Sequence, residues 1–125
     1  MVNDLLTAVT TQLGTTFGTD YHYYVENVKQ DLRKPCFTVD MIQPMQRSRN
    51  AIVYDRTMPL VVHYFSDKPD EEKEDCYEMA ERTVECLEYL PFKGELLCAE
   101  NVSWHIVEGV HQILMTFLFK AIREV

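Results

Sequence analysis

The sequence predicts an α+β fold: a mostly antiparallel β-sheet flanked by an N-terminal helix and one long central acidic helix. Two observations predict this class. Several segments alternate apolar and polar residues at the period of a strand, and two stretches repeat apolar residues at steps of three and four. The predicted order is α-β-β-β-α-β-β-β, and its short connections imply antiparallel pairing. The length of 125 residues fits one domain, expected to span residues 1–125.

The first helix is predicted over residues 3–13. Leu5, Val9 and Leu13 fall at helical spacing, and Gly14 is expected to end the helix. The aromatic run at residues 21–25 then favours a short strand.

A long hairpin is predicted in the middle of the chain. Its first strand covers residues 36–42, with Phe37 and Val39 on one face, and its second covers residues 51–65. Pro59 is expected to mark a bulge or an edge position in the second strand. Residues 45–50 are polar and are predicted to form a mobile tip between the two strands.

The central helix is predicted to run from about residue 70 to Leu90, where Pro91 stops it. Between residues 70 and 88 nine acidic residues face only Lys73 and Arg82, so much of the net charge of −8 belongs to one surface. The predicted buried stripe follows steps of three and four: Cys76, Met79, Ala80, Thr83, Leu87 and Leu90.

Three C-terminal strands are predicted over residues 95–99, 102–107 and 110–122, the last two joined by a hairpin at Glu108-Gly109. The apolar faces of all these elements predict a common core. Its expected members are Phe37, Val39, Leu60, Val62, Met79, Leu87, Phe117 and Phe119.

Composition argues against several classes of function. The acidic net charge does not favour binding to nucleic acid or to anionic membranes. No signal peptide and no apolar run long enough to cross a membrane is evident. The four cysteines are therefore expected to be free thiols in a reducing cytoplasm.

The sequence gives no sign of catalysis, and the chain is predicted not to be an enzyme and to need no cofactor or metal. Histidines and cysteines lack metal-ligand spacing, and no nucleophile-elbow or phosphate-loop motif occurs. A Cys98–His105 pair on adjacent predicted strands is the one arrangement that only a structure can test. The glutamates at steps of three and four form a ladder with one shared environment, unlike a catalytic acid–base pair.

Recognition of other proteins is the function that the charge pattern favours. The arginines of the predicted tip can meet the carboxylates of a neighbour, and the helix glutamates can face a basic partner. The predicted interface residues are Arg47, Arg49, Glu78, Glu81 and Glu85.

Several ordered segments resemble the tail terminator family, also described as tail completion or head–tail joining proteins, of Gram-positive phages and defective prophages. The similar segments are residues 24–39, residues 59–65, the acidic helix with Ala80-Glu81-Arg82 and Leu87-Glu88-Tyr89-Leu90, and residues 105–111 with the strand after them. The resemblance covers most of the chain and rests on patterned segments, since the family has no catalytic motif to compare.

The resemblance implies a ring, expected to be a hexamer, at the head-proximal end of the tail tube. Such a ring ends tube polymerisation and offers a surface to the head–tail connector. The implied partners are further copies of the chain, the tail tube protein and the connector, in the host cytoplasm during assembly and then in the virion tail. The alternatives are another neck or tail-tube component, or a small ligand-binding or enzymatic α+β domain.

Overall fold

A computed structural model describes residues 2–25, 33, 35–66, 72–107 and 110–122. The elements are, in order along the chain, α1 (Val2–Phe17), β1 (His22–Val25), β2 (Cys36–Met41), β3 (Met45–Ser48), β4 (Val53–Phe65), α2 (Glu72–Leu87), β5 (Tyr89–Phe92), β6 (Glu95–Val107) and β7 (Val110–Ile122).

The strands form one sheet in the order β1-β2-β4-β7-β6-β5, and β3 pairs with β4. The β1–β2 pair is parallel, while the other strand pairs are antiparallel. The sheet curls into half a barrel. Helix α1 packs against β1, β2 and β5, and α2 packs against β7, β4, β6 and β5, so the curled sheet wraps around the helix pair.

The predicted α+β class is wrong, because the molecule is mostly β with two helices. The order of elements agrees with the prediction, with the four-residue β3 as an addition. Three strands of 13 residues each dominate the structure. The predicted long central acidic helix is not seen, since α2 has 16 residues and is no longer than α1.

Helix α2 ends at Leu87 because the chain then joins the sheet. The Glu88 carbonyl accepts a hydrogen bond from the Ala99 N–H at 2.9 Å, and Tyr89–Phe92 pairs with β6 as β5. Leu90 is fully buried, as predicted, but it lies on strand β5 and not on the apolar stripe of a helix. Lys93 and Gly94 both have positive φ, of 49° and 80°, which is the conformation that a two-residue hairpin turn requires.

Helix α1 continues past the predicted stop at Gly14 and ends at Phe17. The Gly18 N–H donates to the Gly14 carbonyl at 2.9 Å, and Gly18 has φ of 83°. A glycine with positive φ just after the last turn is the usual helix end. The extra turn brings Phe17 onto the core, 5.0 Å from the Phe37 ring centroid.

The predicted tip at residues 45–50 contains a strand. Residues 45–48 form β3, which pairs with β4 from Met45↔Thr57 to Ser48↔Tyr54. Between β2 and β3 three residues, 42–44, lie opposite two on β4, and the Ile42 N–H donates to the Pro59 carbonyl at 2.9 Å. The bulge or edge position predicted at Pro59 is therefore wrong for the second strand, because β4 lies inside the sheet and keeps an unbroken register with β7 through Pro59; the extra residue lies between β2 and β3.

The two strands predicted at residues 95–99 and 102–107 are one strand, β6, with a bulge between Glu100 and Ser103. Asn101 has φ of 53°, which suits an asparagine in such a bulge. Cys98 and His105 therefore lie on the same strand, seven residues apart, or roughly 23 Å at the rise of an extended chain. The proposed Cys–His pair does not form.

The predicted core is confirmed for the side chains that the structure describes. Phe37, Val39, Leu60, Val62, Leu87 and Phe117 are 0% exposed and Met79 is 2% exposed, whereas the side chain of Phe119 lies outside the described part. Cys36, Cys86 and Cys98 are present as thiols, and the side chain of Cys76 is likewise not described.

Candidate protein interface

The sheet extends beyond the core at one end, where the first part of β4 pairs with β3 on one side and with residues 118–122 of β7 on the other. We define the arm as β3, the turn at residues 49–52 and the first part of β4, residues 53–57. All four residues of β3 are exposed, while the following half of β4 contributes Leu60, Val62 and Tyr64 to the core. The arm contains Arg47, Arg49 and Arg56 against Asp55 alone, so it is a basic projection on an acidic molecule.

The arm's turn is held by its own polar groups. Asn50 Oδ1 accepts hydrogen bonds from the N–H groups of Ile52 and Val53 at 2.8 and 2.9 Å, as an asparagine in a turn commonly does. Arg49 Nε donates to Asp55 Oδ2 at 2.6 Å. Of the two arginines predicted at the interface, Arg49 is thus already neutralised within its own chain.

Arg47 differs from Arg49 in this respect. It lies opposite Asp55 in the β3–β4 register and is exposed, but no ion pair joins it to another residue of the described chain. Arg56 is occupied elsewhere, since it donates to Gln46 at 3.0 Å and lies 5.2 Å from the centre of the Tyr54 ring. Arg47 is therefore the cation of the arm that is available to a partner.

The predicted acidic residues lie on a separate surface. Glu78, Glu81 and Glu85 are exposed on α2, and the opposite side of α2 buries Met79, Ala80, Thr83 and Leu87. Helix α2 and β3 are not in contact, so the structure does not bring the glutamates and the arginines together. The chain therefore presents a basic arm and an acidic helix as two distinct surfaces.

Strand β6 has an open sheet edge that was not predicted from the sequence. Strand β5 pairs only with residues 95–98, and beyond Ala99 no strand of the described chain pairs with the outer side of β6. Residues 101–107 include no Asp, Glu, Lys or Arg, although natural edge strands usually carry such charges against unwanted pairing. Trp104, on this edge, is 44% exposed. The uncharged run Asn101–Val107 is the signal that the sequence offered.

Carboxylates stand where this open edge begins. Glu100 is exposed on β6. Glu88 is also exposed and lies beside this strand, because the Glu88 carbonyl accepts a hydrogen bond from the Ala99 N–H. Neither glutamate has an ion-pair partner in the described part of the molecule. The edge thus combines unpaired backbone groups, an exposed Trp and unneutralised negative charge.

The buried titratable groups suit packing better than chemistry. Burial lowers the pKa of His111, whose ring packs edge-on against Tyr77 at 6.1 Å, and burial also lowers the pKa of His63 against the opposing effect of Asp40. Burial raises the pKa of the Cys86 thiol, which donates to Thr16. Within the described ranges no three His, Cys, Asp or Glu side chains are grouped to hold a metal.

Neither helix, over the residues described, has the length and apolarity needed to cross a membrane.

Comparison with known proteins gives one strong match. A family model described as "Phage tail terminator protein" matches residues 4–125. No curated protein matches the chain. One of the matching solved structures is 10% identical, covers 95% of this chain and 96% of its own, and has a TM-score of 0.39. That likeness is too distant to transfer a fold or a function.

Proposed function

This chain belongs to the phage tail terminator family, and on that premise we propose that it forms a ring at the head-proximal end of the tail tube. Members of the family are structural proteins of phage tails, so the chain is a phage tail assembly protein. The ring stops addition of further tube subunits and presents a surface to the head–tail connector. The match over residues 4–125 is the observation that carries this proposal.

The distribution of charge supports a ring built from one repeated contact. A closed ring of identical subunits needs a head-to-tail contact, in which two different surfaces of the chain meet. The basic arm can supply one of these surfaces, while the acidic helix α2, which does not touch β3, remains for a different partner. Arg47 and Arg49 with Glu78, Glu81 and Glu85 are the residues we assign to contacts between subunits or with the tube and connector.

The same arrangement suits a protein with two different partners. A terminator has to present one face to the tail tube and the other to the connector, and unlike charge on the two faces prevents binding in the wrong orientation. We assign the tube protein and the connector as partners on this ground, with six copies in the ring as the family resemblance implies.

The proposal is tested by tube polymerisation. Tail tube protein from the same phage is polymerised with and without this chain, and tube lengths are measured by electron microscopy. We expect this chain to halt elongation when it is added during growth, so that tubes are shorter and each has one blunt, capped end. Unchanged tube lengths at saturating protein would contradict the proposal. Incorporation along the tube, without a stop, would favour a tube component instead.

A further inference from the structure

We propose that the open edge of β6 in one subunit pairs with β3 of the next copy, so that the sheet continues from subunit to subunit around the ring. This inference rests on the proposed function, because it names the contact that would close that ring. It assigns residues 101–107 and residues 45–47 as the two halves of one interface.

The β6 edge needs a partner on physical grounds. Beyond Ala99, the outer N–H and C=O groups of β6 have no strand beside them in the described chain. Residues 101–107 also include no Asp, Glu, Lys or Arg that would discourage pairing with another strand. An unguarded edge of this kind is a template for another strand. Trp104, partly exposed on the same edge, belongs to the residue types that most often anchor protein contacts.

Strand β3 has the properties of the incoming strand. It pairs with β4 and with no other strand of the described chain, and it projects beyond the core with Met45 65% exposed. An exposed methionine on a solvent-facing strand gains by being covered. Strand β3 is shorter than the open stretch of β6, so all of β3 can pair within that stretch.

The positions of the two edges allow a ring. Strand β3 lies on the β2 side of β4, whereas the β6 edge lies on the far side of β7, so they are opposite margins of one sheet. Pairing opposite margins gives a head-to-tail contact, and a sheet that already curls carries each added subunit around an axis.

Charge complementarity favours the same pairing. In the sheet register, Arg47 is paired with Asp55, and Asp55 is paired with position 120 of β7. Glu100 is paired with Thr116 of β7. Residues paired in this way lie on the same face of the sheet. Positions 116 and 120 share a face of β7 because side chains alternate along a strand. Arg47 and Glu100 therefore lie on the same face of the continued sheet, and each lacks an ion-pair partner within the described chain.

Disulfide trapping tests the contact. In a Cys98→Ser background, Met45→Cys is combined with Ser103→Cys or with His105→Cys, since these three positions are exposed and share one sheet face. Oxidation should give a ladder of covalent multimers, because a disulfide requires Cβ atoms about 3.5–4.5 Å apart. Met45→Cys with Thr15→Cys, on the exposed side of α1, is the matched control and should give no ladder.

A charge swap provides a second readout that does not require two Cβ atoms to lie within disulfide distance. Arg47→Glu and Glu100→Arg should each weaken ring formation by roughly fivefold, as loss of one exposed ion pair per contact predicts, and the double variant should recover it. Thermal melting verifies that each variant is folded.

The outcomes separate the two proposals. If the cysteine variants form rings but give no covalent ladder, and if the double charge variant assembles no better than the single ones, the β3–β6 pairing is contradicted. The proposal that the chain forms a ring would still stand. A chain that remains monomeric by native mass and is absent from tube ends would contradict the ring and the pairing together.

Discussion

Arg49 Nε lies 2.6 Å from Asp55 Oδ2, across the turn at the end of the arm. The pair joins the turn to β4, and Arg47 lies two residues before it in the chain. The two arginines have similar sequence surroundings, but their contacts in the structure differ. Arg49 is paired with Asp55 within its own chain, whereas Arg47 is exposed and forms no ion pair in the described part of the chain.

The Arg49–Asp55 pair should contribute little to overall stability. The side chains are 54% and 30% exposed, and exposed ion pairs contribute about 0.2–1 kcal/mol. A double-mutant cycle of Arg49→Gln and Asp55→Asn, followed by urea unfolding, should give a coupling energy in that range that falls at high salt. A coupling above about 2 kcal/mol, insensitive to salt, would mean that the pair is not solvated as described.

Arg47→Glu should leave the melting temperature unchanged and should weaken ring formation or binding to the tube. The reason is that Arg47 is exposed and forms no ion pair in the described chain. Sedimentation or native mass measurement at several concentrations gives the assembly constant. Arg49→Gln is the control, expected to lower stability slightly and to weaken assembly less. Normal assembly of the Arg47→Glu variant would remove the arm's free cation from the mechanism.

Phe117→Ala should lower the free energy of unfolding by about 3–5 kcal/mol, as large aromatic-to-alanine changes in cores do. Phe117 is 0% exposed and lies on the buried face of β7 with Met115, which is 1% exposed. Leu118→Ala on the opposite face of the same strand is the matched control, and since Leu118 is 42% exposed it should cost less than half as much. Similar losses for the two variants would contradict the assigned strand faces.

Stability should fall as the pH is lowered from 7.5 toward 5. Burial lowers the pKa of His111 below its usual 6.5, with a smaller contribution from His105, and neither ring nitrogen has a hydrogen-bond partner among the described residues. The unfolded chain therefore binds a proton more readily than the folded one. The stabilisation is complete above pH 6.5 and is lost progressively as the pH falls from there toward the lowered folded-state pKa.

Urea unfolding across this pH range measures the effect. His111→Phe should flatten the pH dependence, and His63, whose pKa burial also lowers, should account for part of the slope that remains. Met115→Leu, a buried change without a titrating group on the same face of β7, should keep the parental slope. An unchanged slope in His111→Phe would show that His111 titrates as it does in the unfolded chain.

The elements that the sequence predicted correctly are those in which burial follows a simple period. Alternation placed Phe37, Val62 and Phe117 on the core face, and steps of three and four placed Met79 and Leu87 there. Burial of these residues is a property of their own strand or helix, so a single sequence suffices to predict it.

The errors occurred where a distant part of the chain decides the local structure. Leu90 fits the helical stripe, but the bond from Ala99 to the Glu88 carbonyl draws this segment into the sheet. Strand β3 has no buried side chain, so no apolar alternation indicated it, and only its backbone pairing with β4 makes it a strand. For both segments, tertiary contacts override local preference.

The candidate interface divides in the same way. Exposure of Arg47, Arg49 and the α2 glutamates could be predicted from composition and period. The partnership of Arg49 with Asp55 depends on the geometry of the turn, and the open edge at residues 101–107 depends on β5 being only four residues long. The local sequence does not indicate the ion pair, and for the open edge it offers only the absence of charge at residues 101–107.

Cryo-electron microscopy of tail tubes assembled in the presence of the protein is the most direct test of the ring and of its β3–β6 contact. We predict a single ring of copies at one end of each tube, with the sheet running from the β6 edge of one subunit into β3 of the next. Copies found along the tube wall, or tube ends that lack the protein while it is present in excess, would contradict this prediction.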